Sequence, residues 1–215
     1  MFDVKKSILQ SVNFDELRER SVSLFIKRDD LIDSHVSGNK WRKLKFNIES
    51  TKQFNKDGIV TFGGAFSNHL VATAAACYKS GIQSVGIVRG EELNEKSNDT
   101  LIQCAQFGMQ LEFVSREEYA MRNEKYYHES LLLKYPGFSI VPEGGANYLG
   151  IIGCQEIMCE IDQHFDHVFV AQGTTCTSVG IALSLPQNTI LHVVPVLKEF
   201  DSISEMKKLL IYSGF

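Results

Sequence analysis

Short apolar runs alternate with helix-patterned segments along most of the chain. Between residues 58 and 145, the runs GIVTFGG, SVGIVRG, MQLEFVS and FSIVPEGG are separated by segments with helical periodicity. Runs of this length that are rich in β-branched and aromatic residues are typical of buried strands. Strands that alternate with helices predict βαβ units and a parallel sheet. The pattern therefore favours an α/β fold class.

The helical segments carry their own start and stop signals. SNHLVATAAACYKSG has a serine cap and a glycine stop, and NDTLIQCAQFG ends at Gly108. The pattern also predicts a helix from Lys43 to about Asn55 and one long helix over residues 116–137. Before these, SVSLFIKRDD predicts a strand that leads into a polar loop.

The second half of the chain repeats this alternation. An amphipathic segment over residues 148–165 precedes the strand HVFVAQG, the turn GTTCTSVG and a short helix around IALSL. The strand TILHVVPVL and a helix over SISEMKKLLIYSGF follow. The run Glu143-Gly144-Gly145 between the two halves is the predicted crossing between two domains.

Composition and charge remove several function classes. The 215 residues are 44% hydrophobic and 22% charged, as in globular proteins, and the formal net charge of -4 does not indicate a nucleic-acid partner. MFDVKKSILQ has charges too early for a signal peptide, and no apolar run is long enough to span a bilayer. We therefore expect a cytoplasmic protein without membrane contact.

Cysteine and histidine spacing does not favour a metal site. The six histidines lack the i, i+4 spacing of a helical zinc site, and the five cysteines form no CxxC pair. We expect Cys77, Cys104, Cys154 and Cys159 to be buried small hydrophobes in a reducing compartment.

Three turns that follow strands are candidate ligand sites, because ligands of open α/β sheets bind beyond the carboxyl ends of strands. GGAFSNHL places Ser67 at a helix start that suits a carboxylate or phosphate, although Ser67 could equally be a plain cap. AQGTTCTSVG offers hydroxyls and backbone donors as a phosphate cup, with an ordinary threonine-rich cap as the alternative. VPEGGANYLG, by itself, is simply a turn.

The segment SGNKWRKL adds a candidate nucleophile. By itself it predicts a solvated basic helix start. A lysine held partly desolvated at a cleft can, however, attack a carbonyl cofactor. Together with a phosphate cup and a carboxylate-binding turn, such a lysine completes the parts of a pyridoxal-phosphate enzyme.

These segments resemble one known family. SGNKWRKL resembles the GGNKxRKL motif around the Schiff-base lysine of 1-aminocyclopropane-1-carboxylate deaminases and D-cysteine desulfhydrases. GGAFSNHL, VPEGGANYLG and AQGTTCTSVGIA resemble three further segments of that family, in the same order. The resemblance covers the chain from Phe25 onwards.

The resemblance implies a tryptophan-synthase-β-like fold of two parallel-sheet α/β domains, with pyridoxal 5'-phosphate between them. The smaller domain would comprise residues 46–145, and the larger one residues 1–45 and 146–215. Family members are longer, so the resemblance also implies that the second domain is incomplete after LLIYSGF. A homodimer is implied for the intact family.

The resemblance also implies residue roles. Lys40 and Ser67 would be catalytic, and Ser67, Asn68 and His69 would bind the substrate. The implied cofactor-binding residues are Lys40, Lys43, Asn68, Gly173, Thr174, Thr175, Cys176 and Thr177. Thr175 and Cys176 stand where the family usually has glycines. Arg42 and Lys45 are left as solvated cations of the helix start.

The implied activity is a PLP-dependent deamination of a small amino acid. The substrate would be 1-aminocyclopropane-1-carboxylate, which gives 2-oxobutanoate and ammonia, or D-cysteine, which gives pyruvate, sulfide and ammonia. Two alternatives stay open at this point. One is a catalytically silent fragment that acts as a binding or association module. The other is a nucleotide-binding Rossmann-like module, which the lack of a GxGxxG turn disfavours.

Overall fold

The structure, a computed structural model, describes residues 2–196, 201–212 and 214. Its helices and strands follow in chain order: β1 (Leu9–Val12), α1 (Asp15–Glu19), β2 (Leu24–Lys27), α2 (Lys40–Gln53), β3 (Gly58–Gly64), α3 (Asn68–Ser80), β4 (Gln83–Arg89), α4 (Asp99–Gln106), β5 (Gln110–Val114), α5 (Arg116–Ala120), α6 (Lys125–Lys134), β6 (Phe138–Val141), α7 (Tyr148–Cys159), β7 (His167–Gln172), α8 (Cys176–Ser184), β8 (Ile190–Pro195) and α9 (Ser202–Tyr212).

The predicted α/β class and parallel sheet are confirmed. Strands β5-β4-β3-β6 form one sheet in that order, and every neighbouring pair in it is parallel. The central strand β3 is buried along six of its seven residues, as expected for a strand covered on both faces. Strands β7 and β8 form a second parallel pair, and β1 and β2 form an antiparallel pair that the sequence patterns missed in part.

Several predicted helix boundaries are wrong, including the end of the helix predicted over residues 148–165, which is Cys159. The long helix over residues 116–137 is divided into α5 and α6, with a turn between them. In that turn the Arg122 guanidinium donates to Glu143 at 2.7 Å, and the Arg122 carbonyl lies 2.7 Å from His128 Nε2. These contacts hold the backbone out of the helix. The contact with Glu143 depends on tertiary structure and leaves no mark on local periodicity.

Helix α2 begins at Lys40, three residues before its predicted start. The chain turns into the helix at Gly38, whose φ of 60° is a left-handed conformation that suits glycine. The Lys40 amide then donates to the Ser37 carbonyl. The earlier start places Lys40 inside the first helical turn, so that its orientation is set by the helix.

Helix α2 packs closely against α7. A Cβ atom added at Gly153 would lie 1.9 Å from the Arg42 carbonyl oxygen, so only glycine permits this contact. On its other side, α2 places Leu44 and Ile48 in a core cluster with Ile59 and Val141 of the four-stranded sheet. Helix α2 is therefore held between the sheet and α7.

The expectation that Arg42 is solvated is wrong. Its side chain is fully buried, and one guanidinium nitrogen donates to Asp29 at 2.9 Å and to Glu160 at 2.8 Å. Burial lowers the pKa of Arg42, but the hydrogen bonds that Arg42 donates to Glu160 and Asp29 outweigh that effect and raise it. Arg42 thereby links the N-terminal arm, which is the part of the chain before α2, to α2 itself and to the end of α7.

The sheets fall on either side of the predicted domain boundaries. The four-stranded sheet lies within residues 46–145, and the β7–β8 pair lies within residues 146–215. Helix α2 runs without a break across the boundary between residues 45 and 46. The division into domains at this point stays a prediction.

One face of the β7–β8 pair exposes apolar side chains. Phe169, Ile190 and Val194 are 68%, 54% and 53% exposed. The Phe169 ring stacks on His192, with centroids 4.4 Å apart, and lies near the ring of His167. Leu197, the last residue of the predicted strand, lies outside the described residues, as do Ser213 and Phe215 of the predicted last helix. Among the helices that the structure describes, none is long and apolar enough to cross a membrane.

Replacing Arg42 by Met should cost about 3–5 kcal/mol of unfolding free energy, because the buried Asp29 carboxylate loses its cation. Equilibrium urea unfolding measures this cost. The matched control is Arg18→Met, which removes an arginine whose side chain is 70% exposed and paired with Asp15 at 3.5 Å. That control should change stability by less than about 0.5 kcal/mol. Equal effects of the two variants would contradict the role of Arg42.

Candidate active site

Lys40 carries an amine whose pKa is lowered by its surroundings. It lies in the first turn of α2, it is half-buried, and its Nζ donates to Asn39 Oδ1 at 2.8 Å. Burial, and then the nearby charge of Lys43, lower the pKa of Lys40 to about 8. A larger fraction of this amine is therefore neutral at physiological pH than for an ordinary lysine, and the neutral amine is the nucleophilic form.

Lys43 lies one helical turn beyond Lys40 on α2. Residues three apart are neighbours on a helix surface, so the two side chains share one side of α2. Lys43 is buried, and its Nζ donates to Thr174 Oγ1 at 2.9 Å. The ammonium of Lys43 is therefore bound to the turn between β7 and α8.

That turn contains the predicted phosphate loop, Gly173 to Thr177. Thr175 is the N-cap of α8, Cys176 is its first residue, and Thr177 accepts a hydrogen bond of 2.7 Å from Asn39 Nδ2. A helix start of this kind presents backbone N–H groups to an anion. The structure thus brings the predicted loop to the same place as Lys40 and Lys43.

The space around this loop fits a phosphate group. A Cβ atom added at Gly173 would meet no atom within 4 Å, so the loop is open there. On the closed side, Cβ atoms at Gly144 and Gly145 would lie 2.5 Å from Thr174 and 2.9 Å from Lys43. The turn after β6 therefore packs directly on the lysine and the threonine, and its two glycines are needed for that approach. The donors present, one ammonium, hydroxyls and backbone N–H groups, suit a phosphate.

The turn between β3 and α3 carries Ser67 and Asn68. Ser67 is the N-cap of α3, and its Oγ accepts from the Leu70 amide at 3.3 Å. Asn68 is exposed, so its amide is open to solvent. A cleft of about 630 Å³, lined in part by Ala65, Phe66 and Arg89, gives access to the segment that precedes Ser67.

His69 is buried, unlike its two predecessors in the turn. Its Nε2 lies 2.9 Å from the Thr61 hydroxyl, which itself donates to the Val141 carbonyl at 2.8 Å. Because Thr61 has a single proton to donate, His69 Nε2 must carry the hydrogen of their bond. Nδ1 is buried and makes no hydrogen bond with any residue that the structure describes. The one N–H of the neutral ring is thus bound to Thr61.

The environment keeps His69 neutral. Burial first, and then the charges of Lys43 and Lys40, lower the pKa of His69 to about 3. A third cation beside the two lysines is therefore avoided at physiological pH.

Sequence patterns missed or misjudged several side chains of this region. Asn39, between Lys40 and Thr177, received no role, although its place in the Gly-Asn pair of SGNK was a signal. Gln172 is buried and accepts from Ser178 Oγ at 2.5 Å, and nothing in the sequence indicated this.

The prediction of a buried thiol is wrong for Cys159, which is exposed at the end of α7.

Comparison with known proteins gives one family. The sequence profile of the family described as "Pyridoxal-phosphate dependent enzyme" matches residues 7–204. The D-cysteine desulfhydrase of Serratia proteamaculans is 29% identical over 205 residues, which cover 86% of this chain and 61% of that protein. A bifunctional D-cysteine desulfhydrase/1-aminocyclopropane-1-carboxylate deaminase of Arabidopsis thaliana is 32% identical, over 74% of this chain and 44% of its own length.

A protein of Pyrococcus horikoshii, named as a 1-aminocyclopropane-1-carboxylate deaminase, is 29% identical over 78% of this chain and 53% of its own length. The chain therefore spans about half the length of these relatives. Among solved structures, an ACC deaminase homologue superposes with a TM-score of 0.80 at 23% identity, over 97% of this chain and 66% of that one. This likeness shows that the fold is shared, as the sequence resemblance predicted.

Titration of His69 gives a testable dependence of stability on pH. An ordinary histidine has a pKa of about 6.5, so unfolding below that pH takes up a proton that folded His69 does not bind. The contribution is therefore complete above the unfolded pKa and is lost as pH falls towards about 3. Between pH 7 and pH 5 the loss should be about 2 kcal/mol.

Urea unfolding of the wild type and of His69→Gln at both pH values isolates this loss. Glutamine can still donate to Thr61 but does not titrate, so the variant should lose about 2 kcal/mol less between pH 7 and pH 5. The other histidines cancel in the comparison. The same pH dependence in both proteins would show that His69 binds a proton when folded.

Proposed function

Because the chain belongs to the family of pyridoxal-phosphate dependent enzymes, we propose that it acts on a small amino acid as a deaminase or desulfhydrase. The two candidate substrates are 1-aminocyclopropane-1-carboxylate, with 2-oxobutanoate and ammonia as products, and D-cysteine, with pyruvate, sulfide and ammonia as products. The names of the three relatives support both. The observation that carries the proposal is the half-buried Lys40, with its lowered pKa, beside Lys43 and the loop after β7.

The contacts within the site support which residues would bind pyridoxal phosphate. Lys40 would bind the cofactor covalently, because its amine is the activated one. Lys43 and residues 173–177 would hold the phosphate, because an ammonium, hydroxyls and a helix start meet there. Asn68, exposed on the first turn of α3, would lie beside the ring. Pyridoxal phosphate supplies an electron-withdrawing ring that stabilises negative charge at the substrate carbon.

The remaining proposed roles concern the substrate. Ser67 and Asn68 would receive the substrate carboxylate at the amino end of α3, where the helix dipole favours an anion. His69, the next residue along the chain, is also proposed to help bind the substrate, although its imidazole N–H is bound to Thr61. Lys40 Nζ would move the proton during the reaction, and its lowered pKa suits that task near neutral pH.

The proposal also includes the domain arrangement, the cellular compartment and the assembly of the chain. The two predicted parts, residues 46–145 and the rest, would enclose the cofactor between them, with α2 passing from one to the other. Four of the five free cysteines are buried, which supports a reducing compartment such as the cytoplasm. A homodimer is the proposed assembly.

A second candidate function is a catalytically silent chain that associates with another polypeptide. The exposed apolar residues Phe169, Ile190 and Val194 on the β7–β8 face favour it. It differs from the first candidate in one measurable respect: a silent chain releases no keto acid from either substrate, whether or not Lys40 captures the cofactor.

Cofactor capture can be measured directly. The chain is mixed with pyridoxal phosphate, reduced with borohydride and mapped by peptide mass. We expect the label on Lys40 and, in a coupled assay, release of a keto acid from one of the two substrates. Lys40→Ala should remove the label and the visible absorbance. Lys125→Ala, at a lysine whose side chain is 91% exposed, should retain both.

Two outcomes would count against the proposal. A label spread over surface lysines would show that no cofactor site is formed. A label on Lys40 without keto-acid release from either substrate would favour the silent, associating chain.

A further inference from the structure

Asn39 connects the reactive lysine to the loop after β7. Its side-chain amide receives a hydrogen bond of 2.8 Å from Lys40 Nζ and donates one of 2.7 Å to Thr177 Oγ1. Thr177 lies 138 positions further along the chain, in the first turn of α8. One side chain therefore spans the gap between the amino ends of α2 and α8.

The orientation of the amide is fixed by chemistry. An ammonium group can only donate hydrogen bonds, so the amide oxygen of Asn39 must face Lys40. The amide nitrogen then faces Thr177, whose hydroxyl oxygen accepts. Asn39 is free for this task because, although it is the N-cap residue of α2, its side chain makes no capping hydrogen bond. Thr177 is buried, so water does not compete easily for the second bond.

We propose that Asn39 is a positioning residue that holds the Lys40 amine against the Gly173–Thr177 loop through its two hydrogen bonds. This inference rests on the proposed function, because it concerns the lysine that would capture the cofactor. The amide accepts from Lys40 without carrying a charge. An acidic side chain in the same place would keep the lysine protonated and unreactive.

The charges around Lys40 support a requirement for a neutral partner. Lys43 of α2 lies near enough to lower the pKa of Lys40, and Cys154 of α7 acts in the opposite direction. His69 of α3 is held neutral by burial and by the two lysines. Cys176 of α8 is buried beside Cys154, and its hydrogen bond with Cys154 and then its burial raise the pKa of its thiol. Since none of these groups is a carboxylate, a new one at position 39 would dominate the titration of Lys40.

Asn39→Asp tests the inference without the cofactor. Competitive labelling with acetic anhydride over a range of pH measures the titration midpoint of each lysine. The midpoint of Lys40 should lie near 8 in the wild type. It should rise by about one unit or more in Asn39→Asp, which lowers the labelling rate at pH 7 roughly tenfold. Asn13→Asp, at an exposed position of the N-terminal arm, adds the same charge elsewhere and should leave the midpoint unchanged.

A conservative pair tests the second hydrogen bond. In Thr177→Val the amide nitrogen of Asn39 loses its acceptor, and trapping of pyridoxal phosphate on Lys40 should slow on the order of tenfold. Thr177→Ser keeps a hydroxyl and should restore most of the rate. Equal trapping rates in the two variants would overturn the link to Thr177.

The outcomes separate this inference from the proposed function. If Asn39→Asp leaves the midpoint of Lys40 where it is in the wild type, the positioning role is wrong even when the wild type captures the cofactor. If the wild type does not capture pyridoxal phosphate on Lys40, the proposed function fails, and the labelling midpoints still report on Asn39.

Discussion

Helix α2 carries both lysines of the site, and its position depends on the buried guanidinium of Arg42. At 100° per residue, Arg42 projects from the side of the helix roughly opposite Lys40. There it binds Asp29 of the N-terminal arm and Glu160 after α7. A buried cation with fixed partners tolerates little rotation of the helix, because any turn would leave a charge unpaired. The ion pairs of Arg42 thus fix the rotation of α2 and, with it, the directions of Lys40 and Lys43.

The site itself is a meeting of chain segments far apart in sequence. The amino end of α2 supplies Lys40 and Lys43, the turn after β6 supplies two close-packed glycines, and the turn after β7 supplies the hydroxyls. Two of these segments lie at helix starts, those of α2 and α8, where the first backbone N–H groups have no partner within the helix. The convergence explains why SGNKWRKL and AQGTTCTSVG gain chemical meaning only together. Lys43 and Thr174, which touch, are 131 positions apart.

The sequence was informative wherever local physics decides the structure. Periodicity and glycine or serine punctuation were sufficient for the parallel sheet and for most of the helices around it. The errors arose where a distant partner decides. Arg42 is indistinguishable from a solvated arginine until Asp29 and Glu160 are brought to it by folding. The division between α5 and α6 depends on Glu143, which binds Arg122 from another element. Asn39 required knowledge that Thr177 is adjacent.

The family of the chain is established by its sequence, and the proposed cofactor site is supported by its geometry. The profile match over residues 7–204 establishes the family, while the contacts of Lys40 and Lys43 indicate how this chain could hold the cofactor. The chain spans about half the length of its relatives, and one face of the β7–β8 pair exposes apolar side chains. In the proposed function, cofactor capture therefore depends on the contacts of α2 with the loop after β7.

A crystal structure of the chain grown with pyridoxal phosphate tests that claim most directly. The account predicts continuous electron density between Lys40 Nζ and the cofactor, with the phosphate against Lys43 and the loop of residues 173–177. Cofactor density at another lysine, or a phosphate bound away from that loop, would contradict it.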